Sequence, residues 1–157
     1  MNPAILLDNL RSVHNVGSIF RTANAVGIQK IYLCGTTPTP LNVYGQKRKD
    51  FSKVALGADD SIEWEYFESS LGCVKKLKEE NYYIISVEQA KGSTDYKEVV
   101  IPQSSNPLFV IGNEVDGISK EILELGDVIA EIPMAGTKES LNVTIALGVA
   151  VYRILDL

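Results

Sequence analysis

One histidine and two cysteines are all that 157 residues offer for metal or redox chemistry. His14 has no histidine or cysteine partner at ligand spacing, so no metal site is expected, and it reads as a loop residue at a helix entry rather than a catalytic base. Cys34 and Cys73 form no C-x-x-C pair. They fall in an apolar strand end and a helical stretch, which predicts two buried, reduced, inert thiols. No apolar segment is long enough for a membrane span. The start, MNPAILLDNL, lacks the basic residues, long apolar core and small-residue cleavage site of a signal peptide, so it reads as a first strand and the expected compartment is the cytoplasm. No G-x-G-x-x-G follows any strand, which removes the dinucleotide fingerprint. Residues 112–119 (GNEVDGIS) imitate a phosphate-binding loop, but Ile118 stands where its lysine is needed, and Glu114 and Asp116 would repel a triphosphate. Positive charge is also scarce, with 15 Lys and Arg against 20 Asp and Glu and a net charge of −5.

What is present describes an ordinary globular chain. Hydrophobic residues make up 45% and charged residues 22%, enough for one domain with a sizeable core and too apolar for disorder. Strands are expected near 4–7, 30–34, 63–66, 82–87, 108–111 and 128–132, and helices near 15–26, 70–80, 119–125 and 141–155. The alternation means α/β. The continuously apolar runs YYIISV (82–87) and LFVI (108–111) suit a mostly parallel sheet with helices on both faces. The helix over 70–81 puts Leu71, Val74 and Leu77 on one face and its lysines in water. The last helix is apolar around its circumference, so it must be covered on both sides, by the core and by a subunit interface. No repeat or low-complexity tract appears; residues 36–49 form one long irregular stretch, a candidate functional loop.

Three polar loops lie at strand ends. Residues 132–152 (IPMAGTKESLNVTIALGVAVY) place Ser140, a natural N-cap, and Asn142 between a strand and a helix. Residues 15–27 (NVGSIFRTANAVG) open a helix at Asn15 and carry the single arginine Arg21. Residues 110–119 (VIGNEVDGIS) end a buried strand in a Gly-Asn-Glu turn. Each alone is ordinary turn chemistry; three at the carboxyl ends of strands suggest one composite site.

Together these segments resemble the three motifs of the SPOUT superfamily of methyltransferases, in its SpoU (TrmH) branch of RNA ribose 2'-O-methyltransferases. Asn15, Gly17 and Arg21 match the first motif. Gly112, Asn113, Glu114 and Gly117 match the second, and Ile132, Pro133, Met134, Gly136, Ser140, Leu141 and Asn142 the third, in order along the whole chain. The resemblance implies a Rossmann-like sheet with a C-terminal trefoil knot, a homodimer packed through the first and last helices, and S-adenosylmethionine as methyl donor. It implies no metal. Residues 1–157 would form a single methyltransferase domain without the separate RNA-binding domain that larger members carry. The cofactor would lie at Glu88, Gly112, Ile132, Met134, Ser140 and Leu141, chiefly against backbone, so that at Glu88 only the main chain would matter.

The same resemblance assigns catalysis to Arg21, Asn15, Glu114, Ser140 and Asn142. Guanidinium is not deprotonated in proteins, so Arg21 is expected to bind RNA phosphate and stabilise a developing alkoxide rather than act as base. Asn15, Ser140 and Asn142 would orient it, the ribose and the cofactor loop. Glu114 would fix the loop or the arginine. RNA would meet Lys47, Arg48, Lys49 and Lys53, with Tyr44 and Phe51 as candidate stacking groups and Arg11 extending the patch; the other reading of this cluster is a solvated charged turn. Compact members of the branch favour tRNA as substrate, with rRNA next. A SPOUT-fold RNA-binding module without catalysis and a small-molecule-binding regulator are the alternatives from other classes.

Overall fold

A computed structural model describes all residues from Met1 to Leu157. Seven strands form one sheet: β1 (Ala4–Asp8), β2 (Lys30–Cys34), β3 (Glu63–Phe67), β4 (Tyr82–Val87), β5 (Thr94–Asp95), β6 (Asn106–Ile111) and β7 (Val128–Glu131). The order is β3-β2-β1-β6-β4-β7-β5, and every neighbouring pair is parallel. The helices are α1 (Val13–Ala25), α2 (Lys49–Ala55), α3 (Ala58–Ser61), α4 (Ser70–Glu79), α5 (Lys120–Leu125) and α6 (Val143–Ile154).

Alternation along the central strands builds two cores. Ile5 and Leu7 of β1, Ile31 and Leu33 of β2, and Phe109 and Ile111 of β6 face α1, α2, α3 and α6. Ala4, Leu6, Tyr32, Leu108 and Val110 face α4 and α5 on the other side. Central strands buried on both faces therefore read as unbroken apolar runs, as expected of a parallel sheet. Cys34 and Cys73 meet in the second core, both free and buried. A hydrogen bond to Cys73, with burial, pushes the Cys34 thiol far above its ordinary range, so it stays protonated and unreactive.

The expected elements stand within two residues at nearly every end. Residues 36–61 differ: the expected loop extends through a Leu41–Lys47 bridge into α2 and α3. Phe51 of α2 is fully buried and packs edge-on against Phe20 of α1, ring centroids 5.1 Å apart, which corrects its reading as a stacking group for RNA. α6 is covered on one side only. Leu147, Ala150 and Val151 enter the core, while Leu141, Ile145, Val149 and Tyr152 remain 37–55% exposed. No helix is long and apolar enough to cross a membrane.

Candidate functional site

The N-terminus of α1 is organised by two side chains. Ser12, not Asn15, is its N-cap, and the Ser12 hydroxyl accepts from the Asn15 N–H at 3.1 Å. Asn15 lies in the first turn, with its side-chain amide donating to Glu114 Oε1 at 3.1 Å. His14 belongs to the same turn rather than to a loop. Glu114 also accepts from the backbone N–H groups of Arg11 (3.2 Å) and Ser12 (3.3 Å), occupying the donor-rich end of the helix. Burial alone would push the Glu114 carboxyl up. Hydrogen bonds from its own backbone, Asn15, Ser12 and Arg11 outweigh that and hold it below the ordinary glutamate range.

The turn after β6 is closed by contacts that only glycine permits. A Cβ at Gly112 would collide with the Gly117 carbonyl carbon and the Ile118 nitrogen, and Gly117 itself sits at φ 70°. Asn113 binds the turn on both sides. Its Oδ1 accepts from the N–H groups of Val115 (2.8 Å) and Asp116 (3.1 Å), while its Nδ2 donates to the Asn9 carbonyl at 2.7 Å. Glu88, at the end of β4, accepts from Ile118 N–H through Oε2 (3.1 Å) and from Gln89 N–H through Oε1 (2.8 Å). Its side chain thus locks the glycine turn, which corrects the expectation that only its main chain matters.

Beside this lock, Glu88, Ile132, Met134, Ser140 and Leu141 line one pocket with Val87 and Ala130. Five of the six expected cofactor residues come together there. Gly112 does not line the pocket and acts through the turn. The pocket measures about 90 Å³ and is mostly apolar, small beside typical ligand cavities of roughly 300–1,000 Å³. It suits a flat aromatic ring, with the rest of a ligand lying along the exposed rim at 135–142.

Asn142, not Ser140, caps α6, accepting from Thr144 N–H at 2.8 Å and the Thr144 hydroxyl at 2.5 Å. The start of α6 divides the pocket from a second, larger groove of about 830 Å³ between α1, α2 and α6, lined by Arg21, His14, Lys53, Thr144 and Ile145 among others. Arg21 is exposed and belongs to no ion pair, and it makes no hydrogen bond to Asn15, Glu114, Ser140 or Asn142. The site therefore falls into a tight Asn15–Glu114 cluster, a Ser140-rimmed pocket and a free Arg21 across the start of α6.

The basic patch divides too. Lys47 pairs with Asp60 at 2.5 Å, and a hydrogen bond to Asp60 raises its pKa. Arg48 grips Asp50 through two bonds of 3.1 and 2.8 Å, which lower the Asp50 carboxyl. Lys49, Lys53, Arg11 and Arg21 have no ionic partner. Sequence reading misses a polar cavity at the ends of β1 and β6, lined by Asp8, Asn9, Arg11, Thr36 and Asp116. The only signal for it is the Asp-Asn pair closing the first strand.

The model of the SpoU rRNA Methylase family matches residues 2–152. The tRNA (guanosine(18)-2'-O)-methyltransferase of Aquifex aeolicus is 32% identical over 152 residues, 95% of this chain and 66% of that protein. The 23S rRNA (guanosine-2'-O-)-methyltransferase RlmB of Neisseria meningitidis is 31% identical over 144 residues, 92% of this chain and 54% of that one. Among solved structures, the AdoMet-bound rRNA methyltransferase from Sinorhizobium meliloti superposes with a TM-score of 0.86 at 26% identity, covering 97% of this chain and 55% of its own. The A. aeolicus TrmH/SpoU tRNA-modifying enzyme gives 0.80 at 28%, covering 98% and 74%. The chain spans between about half and two thirds of the curated relatives it matches.

Proposed function

The chain belongs to the SpoU rRNA methylase family, and from that premise we propose that it transfers a methyl group from S-adenosylmethionine to a ribose 2'-hydroxyl of RNA. The observation that carries this reading is the convergence of Glu88 with Ile132, Met134, Ser140 and Leu141, which belong to one segment far along the chain, on one pocket. Its apolar walls fit the adenine ring, and Ser140 and the exposed rim fit the polar remainder of the cofactor. When bound, the cofactor supplies an activated methyl group on a sulfonium. This chain's residues supply alignment, which alone can lower a barrier by several kcal/mol.

Within this reading Arg21 binds the RNA backbone and stabilises negative charge developing on the 2'-oxygen. Its freedom from any internal ion pair supports that role, since a guanidinium engaged by a carboxylate would have little field left for an alkoxide. Asn15 and Glu114 hold the start of α1, and through it the turn that bears Arg21. Asn142 fixes the start of α6 between the two grooves. The exposed apolar side of α6 supports a homodimer joined through α1 and α6, in which Arg21 and the cofactor pocket complete each other. The trefoil knot and a cytoplasmic location belong to the same proposal. Transfer RNA is favoured as substrate, with ribosomal RNA second; the relatives include enzymes named for each.

Incubation with methyl-labelled S-adenosylmethionine and total RNA, followed by nucleoside mapping, tests the activity. Label on a ribose oxygen is expected; label on a base would overturn the chemistry. No label at all, with RNA still retained, would favour an RNA-binding module.

A further inference from the structure

Between β2 and α2 the chain projects a short antiparallel tip. Leu41 and Lys47 bridge across its stem, and the Arg48 N–H donates to the Pro40 carbonyl at 2.9 Å just below them. Asn42 closes the tip from inside. Its Oδ1 accepts from the N–H groups of Tyr44 (2.9 Å) and Gln46 (3.0 Å), and its own N–H donates to the Gln46 carbonyl at 2.8 Å. Its carbonyl accepts from the N–H of Gly45, which stands at φ 73°. The backbone of this segment is therefore held throughout, yet its apex carries Val43, 93% exposed, and Tyr44, 84% exposed. Neither enters either core. A solvated turn is served by polar residues, whereas an apolar pair held out on a fixed stem has already lost the freedom that binding would cost.

The charges beside the tip are sorted. Lys47 is taken by Asp60, with Asp59 at 3.9 Å, and Arg48 by Asp50. Lys49 and Lys53 are exposed, belong to no ion pair, and stand one turn apart on the same side of α2. Lys53 lines the 830 Å³ groove with Arg21 and His14, and no carboxylate lines it. In a chain of net charge −5, a row of unpaired cations thus leads from the foot of the tip to Arg21.

Resting on the RNA-methylation reading above, we propose that Tyr44 is a stacking finger for an unpaired base of the substrate RNA, from which the strand runs over Lys49 and Lys53 to the ribose held at Arg21. An aromatic ring beside a cationic track holds single strands without reading their sequence, because every base has a face to offer. A duplex offers none, since its base faces are stacked on one another. The substrate segment is therefore looped or single-stranded, and Val43 adds an apolar edge that favours a base already out of its stack. A second copy of this chain is the poorer occupant. Two tips paired about a two-fold axis would set the cationic row of each copy beside that of the other.

The test titrates the intact protein and its Tyr44→Ala and Tyr44→Phe variants into oligoribonucleotides of about ten residues, within the span such sites cover, each with a central 2-aminopurine, free or annealed to a complement. Fluorescence reads stacking and anisotropy reads affinity. The unaltered protein should quench the single strand. Tyr44→Ala should remove the quenching and weaken single-strand binding by about tenfold, within the range for one base on one ring. Tyr44→Phe, which keeps the ring, should retain both, and duplex affinity should be the same for all three proteins. Circular dichroism should not change, because Tyr44 lies outside both cores. No affinity for the single strand, or equal affinity and quenching with Tyr44→Ala, would overturn the proposal, as would an equal loss of duplex binding. A dimer that becomes a monomer on Tyr44→Ala, read by sedimentation, would give the tip to a second copy instead. Methyl transfer is measured separately. Quenching that depends on Tyr44 in a protein that transfers no methyl group would keep the stacking site and remove the activity reading. Transfer indifferent to Tyr44, without quenching, would remove the stacking site alone.

Discussion

Arg21 and Glu114 belong to one expected catalytic set, yet their surroundings differ in kind. Arg21 is exposed and uncommitted, so replacing it costs the fold little. Arg21→Ala should abolish methyl transfer while S-adenosylhomocysteine affinity, read by calorimetry, stays within about twofold; full activity in that variant would end its assignment. Glu114 is committed to the N–H groups of Arg11 and Ser12 and to Asn15. Its carboxyl is held below the ordinary range, so its contribution to stability is fully present above the unfolded-state pKa and is lost as pH falls through the lowered folded value. Glu114→Gln should therefore be destabilised by about 0.5–1 kcal/mol at neutral pH, the usual worth of a carboxylate at a helix N-terminus. Urea unfolding from neutral pH down through the acid range should show that difference shrinking. A gap that stays constant in acid would mean that the charge plays no part.

At the level of elements, the sheet is almost wholly legible in the sequence because strands buried on both faces must be apolar throughout, and YYIISV and LFVI admit few other readings. Helix starts are less so. Ser140 and Asn142 are both good caps, and the choice falls to Asn142 because burial of Leu147, Ala150 and Val151 sets the helix register, which is tertiary information. The choice of Ser12 over Asn15 at α1 has the same origin. The pocket is legible through the resemblance of its motifs. The locking role of the Glu88 side chain and the cavity under Asp8 are not, because both depend on β1, β4 and β6 lying side by side although far apart in sequence. Phe51 shows the cost of reading a short helix as loop. Its burial against Phe20 predicts that Phe51→Ala loses about 3–5 kcal/mol in urea denaturation, where a surface stacking residue would lose almost nothing.

Across the whole molecule, a net charge of −5 must be reconciled with the proposed RNA partner. Lys47 and Arg48 spend their charge on Asp60 and Asp50, so the unneutralised cations of the expected RNA face are Arg11, Arg21, Lys49 and Lys53. Of these, Arg21 and Lys53 share the groove between α1, α2 and α6. Reversing Lys49 and Lys53 to Glu should thus weaken RNA binding at low salt, in a filter-binding titration, well beyond reversal of Lys47 and Arg48, and should flatten the salt dependence. That groove is also bordered by α6, whose Ile145, Val149 and Tyr152 stay exposed in the isolated chain. Apolar side chains aligned on one helix are costly in water, and a second copy burying them would set its own α1 and α6 against the groove. If this is how the site is completed, Ile145→Glu with Val149→Glu should sediment as a monomer with unchanged circular dichroism, because neither residue enters the core. The same variant should lose most methyl transfer while keeping S-adenosylhomocysteine affinity, since the pocket beneath Ile132 and Met134 belongs to one chain. A monomeric unaltered protein at micromolar concentration, active in that state, would refute the shared site.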